Sequence, residues 1–350
     1  MNFASDNVGP AAPEIMAALS EANTAPHMPY GNDPFTARAE ALVREVFEAP
    51  DASVHLVATG SAANALALAT LTRPWDAIFC HADAHVELDE CGAPEFYTSG
   101  AKLRRVPGEN AKITPETLRT ELDEITPGNV HSVQRGPVTL TQLTELGTAY
   151  SRLEIEALTS IAREAGLKVH LDGARIANAV AAANVSPAEM TWKAGVDVLS
   201  LGGTKNGCLG VEAVVFFDPQ LAWEVALRRK RAGHLWSKSK FLGAQMAAYL
   251  ENGLWLELAG KANARMAQLI DGLAAVPEAH IVAPPAGNLV FLDLPKSAHD
   301  RAFAKGAQYK LRTRGAPEPD DHLVRARIVC DWSKTEAEID QLLSAWRRAA

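Results

Sequence analysis

Lys205 stands in the stretch LSLGGTKNG (199–207), where glycines and a threonine surround it just after a short apolar run. The glycines let the backbone bend and let a flat ligand come close. A lysine amine partly removed from water becomes a usable nucleophile; the plainer reading is a solvated loop lysine, the commoner state of this residue. VHLDGAR places Asp172 at the end of another apolar run, with Arg175 three residues on. The acid could face a cationic ring nitrogen, or the two could pair and cap the next helix. ATGSAANAL sets Thr59, Gly60 and Ser61 between a β-rich run and a helical one. A helix N-terminus there would offer unpaired N–H groups and positive potential to a phosphate, although Thr59 or Ser61 as an ordinary N-cap explains the same residues.

The phosphate in question is small. The chain lacks the G-x-x-x-x-G-K-[ST] loop of nucleotide triphosphate sites and the G-x-G-x-x-G turn of dinucleotide sites. HADAHVELDEC brings His81 and His85 four residues apart, a spacing that can share a metal, but without H-E-x-x-H no metal site is expected. The combination is more specific than its parts. A phosphate cup, an acid at a later strand end and then a lysine, in that order, match pyridoxal 5′-phosphate, which needs a cup, an acid on its ring nitrogen and an amine for its aldehyde.

Such residues act together only if the fold gathers them. β-rich runs at 54–60, 77–81, 136–143, 168–174, 197–203 and 212–217 alternate with helical patterns at 33–47, 61–71, 153–165 and near 187–194. The alternation predicts an α/β fold, a mostly parallel central sheet with helices on both faces. Ligands of such sheets lie at the carboxyl ends of the strands, where all these polar clusters fall. After about 235 the pattern changes to helical sequence over 237–275, then short strands and helices, an α+β unit. The expected organisation is an N-terminal arm (1–25), a large domain (26–235) and a small C-terminal domain (236–350).

The chain of 350 residues is 47% apolar with a formal charge of −8. That balance carries no electrostatic footprint for nucleic acid; the basic run RRKRAGHLWSKSK (228–240) is a solvated helix face or a source of cations for an anionic ligand. Cys80, Cys91, Cys208 and Cys330 form no C-x-x-C pair and no disulfide framework. Without a signal peptide or a bilayer-length apolar run, the chain reads as soluble and cytoplasmic with reduced thiols.

The stretches FASDN, YGNDP, TGSAAN, AHVELDECGAP, HLDGARIANA, GGTKNG and RIVCDW, from Phe3 to Trp332, resemble the low-specificity L-threonine aldolases. These are pyridoxal-phosphate enzymes of the aspartate-aminotransferase fold (type I). The resemblance implies that Lys205 joins the cofactor's aldehyde and Asp172 binds its ring nitrogen. Arg175 would hold the ring oxygen, Thr59, Gly60, Ser61 and Thr204 the phosphate, and His85 would stack on the ring. Ser5 and Arg327 would bind the substrate carboxylate. Tyr30 and the segment 228–240 would reach the site of a neighbouring subunit, so a homodimer is the smallest active unit and a homotetramer the expected assembly. Two positions depart from the family. Thr144 replaces a frequent histidine after the third central strand, and Asp89 replaces a frequent tyrosine four residues after the stacking histidine. This leaves His85 as the expected base for the substrate's β-hydroxyl, through a water, with Asp89 one helical turn on to orient it or the hydroxyl.

The implied activity is a carbon–carbon lyase of amino-acid metabolism. It would cleave L-threonine, L-allo-threonine and related β-hydroxy-α-amino acids such as phenylserine to glycine and an aldehyde. β-Elimination or transamination on the same scaffold is the alternative. A nicotinamide oxidoreductase lacks its glycine fingerprint, and a cofactor-binding regulator lacks any DNA-binding appendage.

Overall fold

Seven strands build the sheet that carries the strand-end clusters. In chain order they are β1 (Ser53–Val57), β2 (Asp76–His81), β3 (Lys102–Val106), β4 (Gln134–Thr141), β5 (Val169–Gly173), β6 (Val198–Gly202) and β7 (Glu212–Phe216). They lie side by side in the order β1-β7-β6-β5-β4-β2-β3. All neighbours are parallel except those of β7, which runs antiparallel to both β1 and β6. The computed structural model from which these features are drawn describes residues 1–183, 185–312 and 322–347.

β5, β6 and β7 are buried along their whole length, as apolar runs covered on both faces must be. One face packs on a core that includes Leu42, Leu158 and Met246. The other is covered by the helix Gly60–Leu71, whose Ala63, Leu66 and Ala67 meet Val57, Val198 and Val214.

A second, antiparallel sheet is formed by β8 (His280–Ile281), β9 (Leu289–Pro295), β10 (Lys310–Arg312) and β11 (Leu323–Val329), in the order β10-β11-β9-β8. The helical region expected over 237–275 is two helices, Lys240–Leu250 and Leu254–Gly272, separated at Asn252 and Gly253, both of positive φ. The second helix serves both cores: Leu258 and Ala259 pack beneath the large sheet, Met266 and Leu269 beneath the small one. The helix expected near 187–194 is instead a turn followed by a single 3-10 turn, Trp192–Ala194.

The first residues of the N-terminal arm join the small sheet's core, while Ala12 and Ile15 further along pack in the large one. The Phe3 backbone bonds to Gln308 and Val329, and its ring is fully buried with Leu292, Ile328 and Trp346. Burying that ring contributes about 1.5–3 kcal/mol, and it fixes the direction in which the next residues, Asp6 and Asn7, leave for the large sheet. Among the described residues no helix is long and apolar enough to cross a membrane.

Candidate active site

The four polar clusters meet in one cavity of about 350 Å³ at the carboxyl ends of the strands. Thr59, Gly60 and Ser61 come from the cap and first residues of the helix after β1, His85 from beyond β2, Asp172 from β5, Arg175 from just past it, and Thr204 and Lys205 from the turn after β6.

Lys205 lies in a 3-10 turn, Thr204–Asn206, anchored from both sides. The Asn206 side chain donates to Tyr249 Oη and to the Trp255 carbonyl, both at 2.8 Å, and Gly207 O accepts from Ala12 N. Gly207 has φ +100°, and a Cβ there would lie 2.8 Å from Leu258, so the turn admits only glycine without strain. The rigid turn presents an amine that forms no hydrogen bond or ion pair with any described residue.

Asp172 is buried, accepting from Ala174 N at 3.0 Å on one oxygen and from Asn64 Nδ2 at 2.9 Å on the other. Burial alone would raise its carboxyl, but the Lys205 charge above all, with His85 and the Ala174 N–H, holds it below the usual range. It is therefore a carboxylate aimed at a place where a cation would be stabilised. His170, on the same strand, is held between the hydroxyls of Thr139 and Ser200, and burial pushes its imidazole down to about 4. It is a neutral structural residue.

The helix Gly60–Leu71 begins at the cavity, with Thr59 as its N-cap accepting from Ala62 N. Thr59 is thus the ordinary N-cap, and the helix start that it shapes lines the cavity. Thr204 supplies a further hydroxyl, near Val211 N.

Arg175 is buried and paired through two hydrogen bonds with Asp6 of the arm, at 2.6 and 3.1 Å. Burial raises the Asp6 carboxyl, but Arg175 and Lys205, with a further bond from Asn288, bring it below the usual range. Ser5 does not line the cavity; its hydroxyl caps Asn7 N at 3.2 Å, and Asn7 lines the cavity instead. Arg327, on β11, is half-buried, and its Nε is shielded from solvent with no partner among the described residues. Burial, then the neighbouring Arg175, lowers its guanidinium from the usual value.

His85 is the one candidate base with a partner already in place, and that partner is not Asp89. The helix that begins at His85 ends at Leu88, so Asp89 is its C-cap, exposed and away from the cavity lining. The chain then reverses through Cys91 and Gly92, both of positive φ, and turns Glu90 inward. Glu90 Oε1 lies 2.8 Å from His85 Nδ1, and this bond, more than opposing burial, raises the imidazole's pKa. Thr144 is fully buried, bonded to Thr148 Oγ1 at 2.8 Å, and outside the cavity lining.

His81, expected at most as a partner of His85, bonds through its two nitrogens to Gly108 O and Asp83 N. Tyr30 is exposed at the surface with Lys230 over its ring at 4.8 Å, and its N–H donates to Ser237 O. The two stretches expected to serve a neighbouring subunit thus lie together, outside this chain's own cavity.

Sequence reasoning missed Asp6, Asn64, Glu90, Glu145 and Glu212. Glu145 lines the cavity beyond β4, and burial raises its carboxyl. Asp6 and Asn64 were present in the quoted stretches FASDN and TGSAAN, and a polar residue inside an otherwise apolar helix is the signal that could have singled out Asn64.

The chain matches the family described as beta-eliminating lyase over residues 2–297. It is 40% identical over 342 residues to a low specificity L-threonine aldolase of Pseudomonas sp., spanning 97% of this chain and 95% of that one. A threonine aldolase structure from Leishmania major superposes with a TM-score of 0.90 at 27% identity, covering 99% of this chain and 98% of that one. Serine palmitoyltransferase from S. paucimobilis, solved with bound PLP, shares the fold, with a TM-score of 0.71 at 16% identity over 99% of this chain and 86% of that one.

Proposed function

The chain belongs to the beta-eliminating lyase family, alongside the low-specificity L-threonine aldolases, and we propose from that premise that it cleaves L-threonine, L-allo-threonine and related β-hydroxy-α-amino acids to glycine and an aldehyde. The cofactor is pyridoxal 5′-phosphate. The residues present fit it: an unpaired lysine amine, a buried carboxylate and a helix start line one cavity. Asn64 Oδ1, buried at its wall without a partner among the described residues, is a polar group that further supports an occupant. When bound, the cofactor supplies an aldehyde that captures the substrate's amine and a ring that takes up the electron pair of the broken Cα–Cβ bond.

Each residue then has a task. Lys205 holds the cofactor by its aldehyde. Asp172, kept ionised, holds a proton on the ring nitrogen. Thr59, Gly60, Ser61 and Thr204 hold the phosphate, and Arg175, fixed by Asp6, faces the ring oxygen. His85 covers the ring and takes the β-hydroxyl proton, through a water, with Glu90 stabilising the imidazolium that results. Arg327 grips the substrate carboxylate, a group that its unpartnered Nε would satisfy.

The active unit is a homodimer, assembled further as a homotetramer. Support comes from the surface that joins Tyr30 to the segment 228–240. Met28, Phe96, Trp223 and Trp236 all stand exposed on this chain, large apolar side chains that a neighbouring subunit would cover.

The observation that carries the reading is the meeting of Lys205 and Asp172 in one cavity with a helix start. Product analysis tests it. Threonine and allo-threonine should give glycine and acetaldehyde, and phenylserine glycine and benzaldehyde. Keto acid as the main product would instead establish elimination or transamination.

A further inference from the structure

Glu212 is an acid in the cavity wall that the proposed reaction does not use. It opens β7, in register with Gly202 on β6 and Val57 on β1. That register puts it beside both the lysine turn and the start of the Gly60–Leu71 helix. Its side chain is buried, and Gly203 N donates to Oε2 at 2.7 Å. Thr204, one of the residues assigned to the phosphate, is its other hydrogen-bonding neighbour.

An ionised carboxylate and a phosphate dianion in one buried cup repel each other strongly, and the conflict disappears if one of them carries a proton. Burial pushes Glu212 up to about 7, so protonating it near neutrality costs little. The groups that face it are Lys205, which favours its ionised form, and Asp172, which opposes it. Cys208 and Tyr249, which also feel its charge, are raised first by their own burial and also by Glu212, and so stay neutral.

We propose that Glu212 is the proton-holding wall of the phosphate cup: it meets the cofactor's phosphate as a neutral acid, Oε2 held by Gly203 and Oε1 donating, so that cofactor capture takes up a proton. This rests on the pyridoxal-phosphate reading of the site. The deprotonated free site is then the weaker binder, and affinity falls as pH rises above neutrality. A purely structural Glu212, there only to hold the Gly203 N–H, would treat phosphorylated and unphosphorylated ligands alike.

The test is binding of pyridoxal 5′-phosphate to the cofactor-stripped full chain between pH 7 and 9, in wild type and Glu212→Gln, with pyridoxal as the ligand without phosphate. The wild-type affinity relative to the variant should fall roughly tenfold per pH unit for pyridoxal 5′-phosphate, and stay constant for pyridoxal. The comparison cancels the proton that Lys205 itself exchanges. A ratio independent of pH, or an equal trend with pyridoxal, overturns the proposal. If the variant does not fold, calorimetry of wild type in buffers of different ionisation enthalpy decides. At pH 8, pyridoxal 5′-phosphate should take up about one proton more per site than pyridoxal, and no difference overturns the proposal. Wild type that binds pyridoxal 5′-phosphate at no pH would overturn the cofactor reading itself, a separate outcome.

Discussion

Nδ1 of His85 lies 2.8 Å from Oε1 of Glu90, a carboxylate whose side chain has no solvent exposure. The same Glu90 oxygen accepts from Asn64 Nδ2 at 2.9 Å, and that nitrogen also donates to Asp172 Oδ2 at 2.9 Å. One amide in the middle of the Gly60–Leu71 helix therefore ties together the acid behind the base and the acid aimed at the ring. Because Nδ1 is engaged, Nε2 is the nitrogen left to face substrate.

Glu90→Gln should move the acid limb of kcat/KM to lower pH. The Glu90 hydrogen bond is the main reason that His85 titrates above its usual value, so a neutral partner lets it fall, and the unprotonated base persists into more acid solution. The rate should drop by less than the ~10²–10⁴-fold that losing a general base itself costs. Asp89→Asn should leave both rate and profile as they are. A pH profile unmoved in Glu90→Gln but shifted in Asp89→Asn would return the orienting role to Asp89.

Asp6→Asn should destabilise the fold as well as the site. It leaves Arg175 buried beside no paired carboxylate, a loss of about 3–5 kcal/mol for a broken buried pair. The pH dependence has a definite sign. Asp6 is held below its usual value despite burial, chiefly by Arg175 and Lys205, so its contribution is complete above the ordinary aspartate value and disappears as pH falls through the lower folded one. Denaturation curves should show a constant gap between wild type and variant across neutral pH, narrowing only below about pH 4. A gap that shrinks already at neutral pH would mean that the pair is not what Asp6 contributes.

The strand-end residues were legible in the sequence because a parallel sheet has to bring them together. Thr59, His85, Asp172 and Lys205 each lie at the end of a β-rich run or just past it, and the fold rule for open α/β sheets needs only that information. Glu90 was not legible, because its position turns on where a helix stops. Had the helix starting at His85 continued, residue 89 would lie over the histidine; ending at Leu88 and reversing at Cys91 and Gly92, it brings residue 90 there. Asp6 reaches Arg175 only because Phe3 is buried under the small sheet, a long-range packing event with no local signal. β3, KLRRV, was missed because it is an edge strand with charges in place of an apolar run, a common guard against edge pairing.

Borohydride treatment of the yellow holoprotein should fix the cofactor covalently on the peptide that contains Lys205. Asp172→Asn should still bind the cofactor but cleave threonine several orders of magnitude more slowly, a larger loss than the ~10²–10⁴-fold usual for a single general acid or base. The reason lies in its surroundings: Ala174 N and Asn64 each donate to one carboxyl oxygen, and an amide of the same shape fills the same place but loses the charge and one of these two bonds. Label on another lysine, or a fully active Asp172→Asn, would displace these two residues from their assigned tasks.

Arg327 offers the sharpest separation of binding from chemistry. Its Nε is shielded from solvent and bonds to none of the described residues, although Asp6 and Glu145 are near enough to act on it electrostatically. Asp6 is already engaged by two Arg175 nitrogens and by Asn288, so it does not complete Arg327. An arriving carboxylate would, through two parallel hydrogen bonds. That group does not react, so the interaction is the same in the ground and transition states, and its loss belongs in KM rather than in kcat. Arg327→Lys keeps the charge and loses the fork. Steady-state kinetics with threonine should therefore show KM raised roughly tenfold or more, the loss of about 1.4 kcal/mol of uniform binding, with kcat little changed. Amino alcohols that lack the carboxylate should be bound equally by wild type and variant. An unchanged KM with a collapsed kcat would place Arg327 in the chemistry and leave the substrate carboxylate to another residue.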